Sequence, residues 1–149
     1  MTTSPDPSFA GRTYPPGPVH EVSAVKIAEF ARATGADSPI HHDVEAARAA
    51  GHRDVVAPPT FLVSLAQATE VAYIEDPAAG IDFSHVVHAE EGFVLERPVV
   101  AGDRLVPTLT VDAVRSVGGN AMISTRVEIA DESGAPVATV RSSIVVRGA

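Results

Sequence analysis

The chain has 149 residues, no cysteine and a formal net charge of −8, a length that suits one domain with its own core. Without thiols there are no disulfides, thiolate nucleophiles or cysteine-held zinc. The acidic balance, with basic residues scattered singly, argues against a nucleic-acid partner, and no apolar run is long enough for a membrane helix.

Residues 1–11 contain Pro5, Pro7 and Gly11 and are expected to form a flexible N-terminal arm. Their polar start lacks the basic-then-apolar layout of a secretory leader, so the cytoplasm is the expected location. Residues 12–149 read as a single domain. Arg12 to Pro18 is rich in proline and glycine and therefore extended, and Val19 to Val22 suits a short edge strand. Ser23 is placed to cap a helix running to Thr34, with Ala24, Ile27, Ala28 and Ala31 at helical spacing and Gly35 as its stop.

Pro39 prevents that helix from continuing, which leaves residues 35–42 as an ordered loop. Asp43 caps a short helix from Val44 to Ala50 that ends at Gly51. Pro58-Pro59 opens a third helix, predicted over Thr60 to Tyr73. Nearly every residue there is apolar or small and Glu70 is the one charge, a pattern that predicts burial on all sides.

From His85 the hydrophobic period changes to two, giving strands over His85 to Val99, Arg104 to Val117, Ala121 to Ala130 and Val137 to Arg147. Ala101-Gly102-Asp103, Gly118-Gly119-Asn120 and Asp131 to Gly134 supply the turns. Four consecutive antiparallel strands and one wholly apolar helix make an α+β fold, an antiparallel sheet wrapped around that helix.

The chemistry is concentrated in Thr34-Gly35-Ala36-Asp37-Ser38-Pro39-Ile40-His41-His42-Asp43, which places a carboxylate and two imidazoles on a proline-stiffened loop. Such groups move protons. Each also has a plainer reading: His41 and His42 can satisfy loop carbonyls, Asp37 suits a turn and Asp43 a helix cap. Neighbours in sequence rarely converge on one ion without helical spacing, so no metal site is inferred. His85 and His88, three apart on a strand, fall on opposite faces, and one of them can line an interface or channel. Glu70, about three turns into its expected helix, is read as a snorkelling or interface contact rather than as a hydrolytic acid.

The run from Phe30 to His41 resembles the signature of the MaoC-like, (R)-specific enoyl hydratase/dehydratase family, roughly Phe-Ala-x-x-Ser/Thr-Gly-Asp-x-Asn-Pro-Ile-His-x-Asp. The likeness continues through Ala46-Ala47-Arg48-Ala49-Ala50-Gly51-His52. Val55-Val56-Ala57-Pro58-Pro59-Thr60-Phe61 and Val99-Val100-Ala101-Gly102-Asp103-Arg104-Leu105 are similar to the short actinobacterial (3R)-hydroxyacyl-ACP dehydratase subunits, the N-terminal branch of that family. The resemblance covers about residues 9–147 and implies the hot-dog fold.

It also implies dehydration of (3R)-hydroxyacyl thioesters on acyl carrier protein or coenzyme A, or the reverse hydration, in fatty-acid or related acyl-chain metabolism. By resemblance His41 is the catalytic histidine, while the family's aspartate position falls on Ala36 and its asparagine position on Ser38. Asp37 lies one residue late, and a second register pairs Asp37 with His42. The carry-over therefore gives His41 and Asp37 as catalytic candidates. It gives Ser38, His42, Thr60 and Phe61 as substrate-binding candidates, with the amides of Thr60 and Phe61 holding the thioester oxygen because Pro59 has no N–H. No cofactor or metal is implied. A homodimer, or a heterodimer with a second hot-dog subunit, is expected. Two rival readings stay open: a non-catalytic substrate-binding subunit of a heterodimeric dehydratase, and an acyl thioesterase.

Overall fold

A computed structural model of the chain describes residues 4–148. The elements run β1 (His20–Glu21), α1 (Ala24–Thr34), α2 (Val44–Ala49), α3 (Val63–Ile74), β2 (Val86–Leu95), β3 (Arg104–Val117), β4 (Asn120–Asp131) and β5 (Pro136–Val146). The five strands form one antiparallel sheet in the order β1-β3-β4-β5-β2.

The sheet forms because β3, β4 and β5 alternate apolar and polar residues over long stretches. Leu105, Leu109, Val111, Ile123, Val127, Ile129, Val137, Val140 and Val146 are all buried. Gly118 and Gly119 join β3 to β4 with φ of 57° and 78°. Positive φ at both central residues is what a two-residue hairpin turn demands. At the next turn the Asp131 carboxylate accepts from the N–H groups of Ser133 and Ala135.

The sequence predicts four consecutive antiparallel strands without fixing their order in the sheet; β2 crosses to the far edge and pairs with β5, Val86 opposite Val146 and Leu95 opposite Ala138. It also stops at Leu95 rather than Val99. Pro98 cannot donate to a ladder and restricts Arg97 before it. Residues 96–103 instead bridge the open end of the sheet, with Val100 meeting Val56 in an isolated bridge.

The first two helices match their expected signals. Ser23 Oγ accepts from Lys26 N–H, Gly35 closes α1 at φ 71°, and Asp43 caps α2 through Glu45 N–H. The third differs in two respects. Residues 58–62 form tight turns, Phe61 N–H donating to Pro58 O and Val63 N–H to Thr60 O, so the regular helix begins only at Val63.

Nor is α3 buried on all sides. Leu65, Ala66, Glu70 and Tyr73 face inward, whereas Gln67, Ala68, Val71 and Ala72 are exposed. A single sheet covers only one side of a helix, which leaves an apolar stripe uncovered. Residues 4–11, expected to be loose, are docked. Phe9 is buried against Tyr73 with ring centroids 5.6 Å apart, Asp6 N–H donates to Ala79 O, and Gly11 N–H donates to Val111 O.

Candidate functional site

His41 ends a short 3₁₀ turn, Pro39–His41, which Pro39 opens with its preset φ. The turn folds back so that Val56 N–H donates to Ile40 O at 2.9 Å. His41 Nδ1 in turn lies 2.6 Å from Val56 O. A carbonyl only accepts, so Nδ1 carries the hydrogen and a neutral ring keeps its lone pair on Nε2.

The His41 side chain is 8% exposed and lines a cleft of about 540 Å³. The other walls come from Ile40, His52, Val56–Pro59, Leu62 and Leu95–Val99. The cleft thus lies between the His41 loop, the entry to α3 and the segment that follows β2. Glu96 is the one carboxylate among the described lining residues, and it is exposed.

The other sequence candidates are placed differently. Asp37 and Ser38 are exposed and do not line the cleft, and Ser38 precedes the turn without a side-chain capping bond. His42 is exposed, with Nε2 3.0 Å from Ala36 O. That contact is the loop-satisfying role weighed from sequence. Phe61 is buried edge-on against Phe30, centroids 5.6 Å apart, and its N–H is committed to Pro58 O. Of the two amides expected at a thioester oxygen, Thr60 N–H carries no such bond among the described residues, but Thr60 is exposed and is not one of the cleft's lining residues.

Sequence reasoning missed His52 and the segment from Leu95 to Val99 as cleft walls. His52 follows the Gly51 helix stop and shows no local pattern of its own. The later segment was read as the end of a strand, although Pro98 was the available signal against that reading.

That wall is held by Asp103. Its carboxylate, 6% exposed, accepts from Arg53 at 3.0 Å, Arg97 at 2.8 Å and Val100 N–H at 2.9 Å. Burial alone pushes its acidity down. The hydrogen bonds from Arg97, Val100 and Arg53 outweigh that and hold the carboxyl below the usual aspartate range.

A second cavity, of about 730 Å³, lies along the C-terminal half of α3. Val71, Ile74, Ile81, Val86 and Ile144 line it together with Glu70, His88 and Ser142. Glu70 does not snorkel. Its side chain points into the sheet and accepts from the Thr125 hydroxyl at 2.6 Å, about two turns into a helix that starts later than expected. Burial pushes its carboxyl above the usual range, the Thr125 bond opposes this and nearby Glu91 adds to it.

His88 Nε2 stands 3.2 Å from Ser142 Oγ and 2.6 Å from Glu91 Oε2. Both neighbours address the same ring nitrogen, so the three do not form a serine–histidine–acid relay, in which acid and serine need opposite nitrogens. His85 lies in a 3₁₀ turn before β2 and is exposed.

Comparison with known proteins agrees with this architecture. The model of the FAS1-like dehydratase domain region matches residues 8–140. A UPF0336 protein of Saccharopolyspora erythraea is 48% identical over 143 residues, covering 96% of this chain and 92% of that one. The C-terminally truncated HadBC (3R-hydroxyacyl-ACP dehydratase) complex of Mycobacterium tuberculosis superposes with a TM-score of 0.82 at 27% identity, covering 92% of this chain and 96% of the matched one. A MaoC-like dehydratase superposes at 0.87 with 30% identity, covering 95% of this chain and 43% of that larger protein. With its curled sheet, its central helix and its match over 8–140, the chain belongs to the MaoC-like hot-dog dehydratase family.

Proposed function

We propose that the chain is a subunit of a (3R)-hydroxyacyl-thioester dehydratase, the same centre serving as an enoyl-thioester hydratase in reverse. The observation that carries this reading is His41. Its Nδ1–H is fixed on Val56 O, and the ring lines a cleft at the entry to the central helix.

In dehydration His41 Nε2 takes the proton from the carbon beside the thioester. The thioester oxygen gathers enolate charge, and Thr60 N–H, exposed beside the cleft next to its lining residue Pro59, is the nearest amide in sequence not bonded within the turns. The β-hydroxyl then leaves with a proton as water, and the carbon–carbon double bond forms. That leaving step needs an acid. Ala36 occupies the family's aspartate position, and Asp37 is exposed outside the cleft lining. The acid is therefore assigned to a second hot-dog subunit, a division that the two-component HadBC complex makes reasonable. The acyl carrier, protein or coenzyme A, is left to the assay.

A second reading has its own support in the absent carboxylate: the chain only shapes the acyl site, and a partner carries the whole Gly-Asp-x-Asn-Pro-x-His set. One experiment tests both. The chain is supplied with a short trans-2-enoyl thioester, alone and with a co-expressed hot-dog partner bearing that motif. Activity only in the pair, abolished by His41→Ala in this chain, supports the shared centre. Activity in the pair that survives His41→Ala supports the substrate-binding subunit. Release of free thiol in place of hydration would point to a thioesterase and refute both.

A further inference from the structure

The cavity beside the C-terminal half of α3 shares no lining residue with the His41 cleft, and the proposed dehydration makes no use of it. Its volume of about 730 Å³ is ample for a small organic molecule. Val71 and Ile74 of α3, Phe83 in the turn before β2, Val86 of β2 and Ile144 of β5 give it apolar sides. Val71 and Phe83 are exposed, so those sides run out to the surface. An aliphatic chain entering from solvent would bury its whole length against them.

The ionisable groups of the lining lean to one sign. Glu70, Glu75 and Asp76 supply three carboxyl groups, and among the described lining residues there is no lysine or arginine. Glu75 is exposed at the rim, and Asp76 already accepts from Ala78 N–H at 2.9 Å. Glu70 is different: it is 5% exposed, and the Thr125 hydroxyl serves only its Oε1. Oε2 has no hydrogen-bond partner among the described residues. Ser142 stands opposite Thr125 in the β4–β5 pair, so it shares the inner face and brings a second oxygen to the cavity. The one imidazole, His88, has Glu91 Oε2 2.6 Å from its Nε2, so any charge it carries is met there. A carboxylate or phosphate ligand would be repelled by this lining. A neutral alcohol would gain a hydrogen bond, whereas a cation would gain a charge-assisted one away from water.

We propose that this cavity is a binding site for an aliphatic amine, with the hydrocarbon chain along Val71, Ile74, Val86 and Ile144 and the ammonium group on Glu70 Oε2 and Ser142 Oγ. Burial disfavours the ionised form of Glu70. An ammonium group beside it favours that form again, and the proton released passes to solvent. The site calls on neither His41 nor a partner subunit, so it stands whether or not the chain is a dehydratase.

Isothermal titration calorimetry on the full chain tests it with four probes: octylammonium below its micelle-forming concentration, 1-octanol, octanoate and ethylammonium. Octylammonium is expected to saturate one site, 1-octanol to bind at least about tenfold more weakly, and octanoate and ethylammonium to give no saturable heat. Glu70→Gln should weaken octylammonium by at least about tenfold and leave 1-octanol unchanged. Val71→Phe, at an exposed position on the wall, should weaken both by filling the space, and it carries the test where circular dichroism shows Glu70→Gln unfolded. Failure of octylammonium to bind would overturn the proposal, as would octanoate binding as tightly. Octylammonium binding that survives either substitution, or that ethylammonium matches, would show only a general attraction of cations to an acidic surface and would overturn it too.

Discussion

His41 Nδ1 and the Val56 carbonyl oxygen stand 2.6 Å apart, and this one bond sets which imidazole nitrogen is free to act. The carbonyl belongs to the segment leading into α3. The same backbone that opens the helix therefore also orients the imidazole, and damage to either is felt by both.

Replacing His41 should separate chemistry from folding. In the assembled enzyme, His41→Ala is expected to lower kcat by about 10²- to 10⁴-fold, the usual worth of a positioned general base. The fold should lose about 1–3 kcal/mol, because the buried Val56 carbonyl is left without its donor. Steady-state kinetics with an enoyl thioester and a urea titration give the two numbers. A KM change at constant kcat would mean the ring binds substrate but moves no proton.

Restoring a carboxylate is the complementary experiment. Ala36→Asp places an acid at the family's aspartate position, three residues before Pro39. The variant chain alone should hydrate a short enoyl thioester at least about tenfold faster than the wild type alone. No gain in the isolated variant, with folding unchanged by circular dichroism, would show that the missing acid is not what limits the single chain.

Glu70 gives a pH signature. Its folded-state pKa is raised above the unfolded value, chiefly by burial. Between those two values the native state binds more protons than the unfolded one, so stability falls as pH rises through that window and then stays lower. Glu70→Gln removes the penalty. Its melting temperature relative to wild type should be close to zero below the ordinary glutamate range and positive above the raised value. Thr125→Val deletes the hydrogen bond to Glu70 and should cost about 1–3 kcal/mol while lifting the carboxyl's pKa further. A flat difference between wild type and Glu70→Gln from acid to neutral pH would refute the burial argument.

Asp103 has the opposite sign. Its carboxyl is held below the usual range despite burial, so its stabilisation is present above the unfolded value and is lost as pH falls through the depressed one. Asp103→Asn should destabilise the chain by about 1–3 kcal/mol at neutral pH and reduce its sensitivity to acid. Thermal melts from neutral to acid pH measure both effects. Arg97 also lines the cleft, so substrate affinity should weaken in the same variant.

Tyr73 is fully buried and its hydroxyl has no hydrogen-bond partner among the described residues. Burial, with Tyr14 close by, pushes its pKa up to about 12. Tyr73→Phe removes an unsatisfied polar group at nearly constant volume and should leave stability unchanged or raise it by up to about 1 kcal/mol. Tyr73→Ala should cost several kcal/mol by opening a cavity, on the order of 3–5. Urea titrations of both variants decide the matter. A marked loss in Tyr73→Phe would reveal a partner for the hydroxyl.

Much of the fold was legible because local rules governed it. Ser23, Gly35 and Asp43 act as caps as their residue types dictate, and Gly118-Gly119 turns a hairpin because both positions need positive φ. The pairing of β2 with β5 was not legible. Strand order depends on contacts between residues far apart in sequence, and alternation shows only which face of a strand is buried. The open face of α3 was misread for a related reason: an apolar sequence records that a face must be covered, not by what. Within the site, the Pro39–His41 turn was visible through its proline. The bond from His41 to Val56 depends on how two loops cross, and the cleft wall from Leu95 to Val99 depends on where β2 stops, so neither leaves a local mark.

The strand order also has a consequence for how the chain comes off the ribosome. β3, β4 and β5 can zip together as successive hairpins, but among the described strands β2 finds its neighbour in β5, where Val86 meets Val146. Closing that distant pair costs loop entropy that the hairpins avoid, so it comes late. The segment from Leu95 to Val99 is tethered to β2 and settles against the His41 loop only after β5 has emerged. Damage at the start of β5, where Ala138 pairs with Leu95 and Val137 O accepts from Glu96 N–H, would therefore disturb a cleft wall built some forty positions upstream.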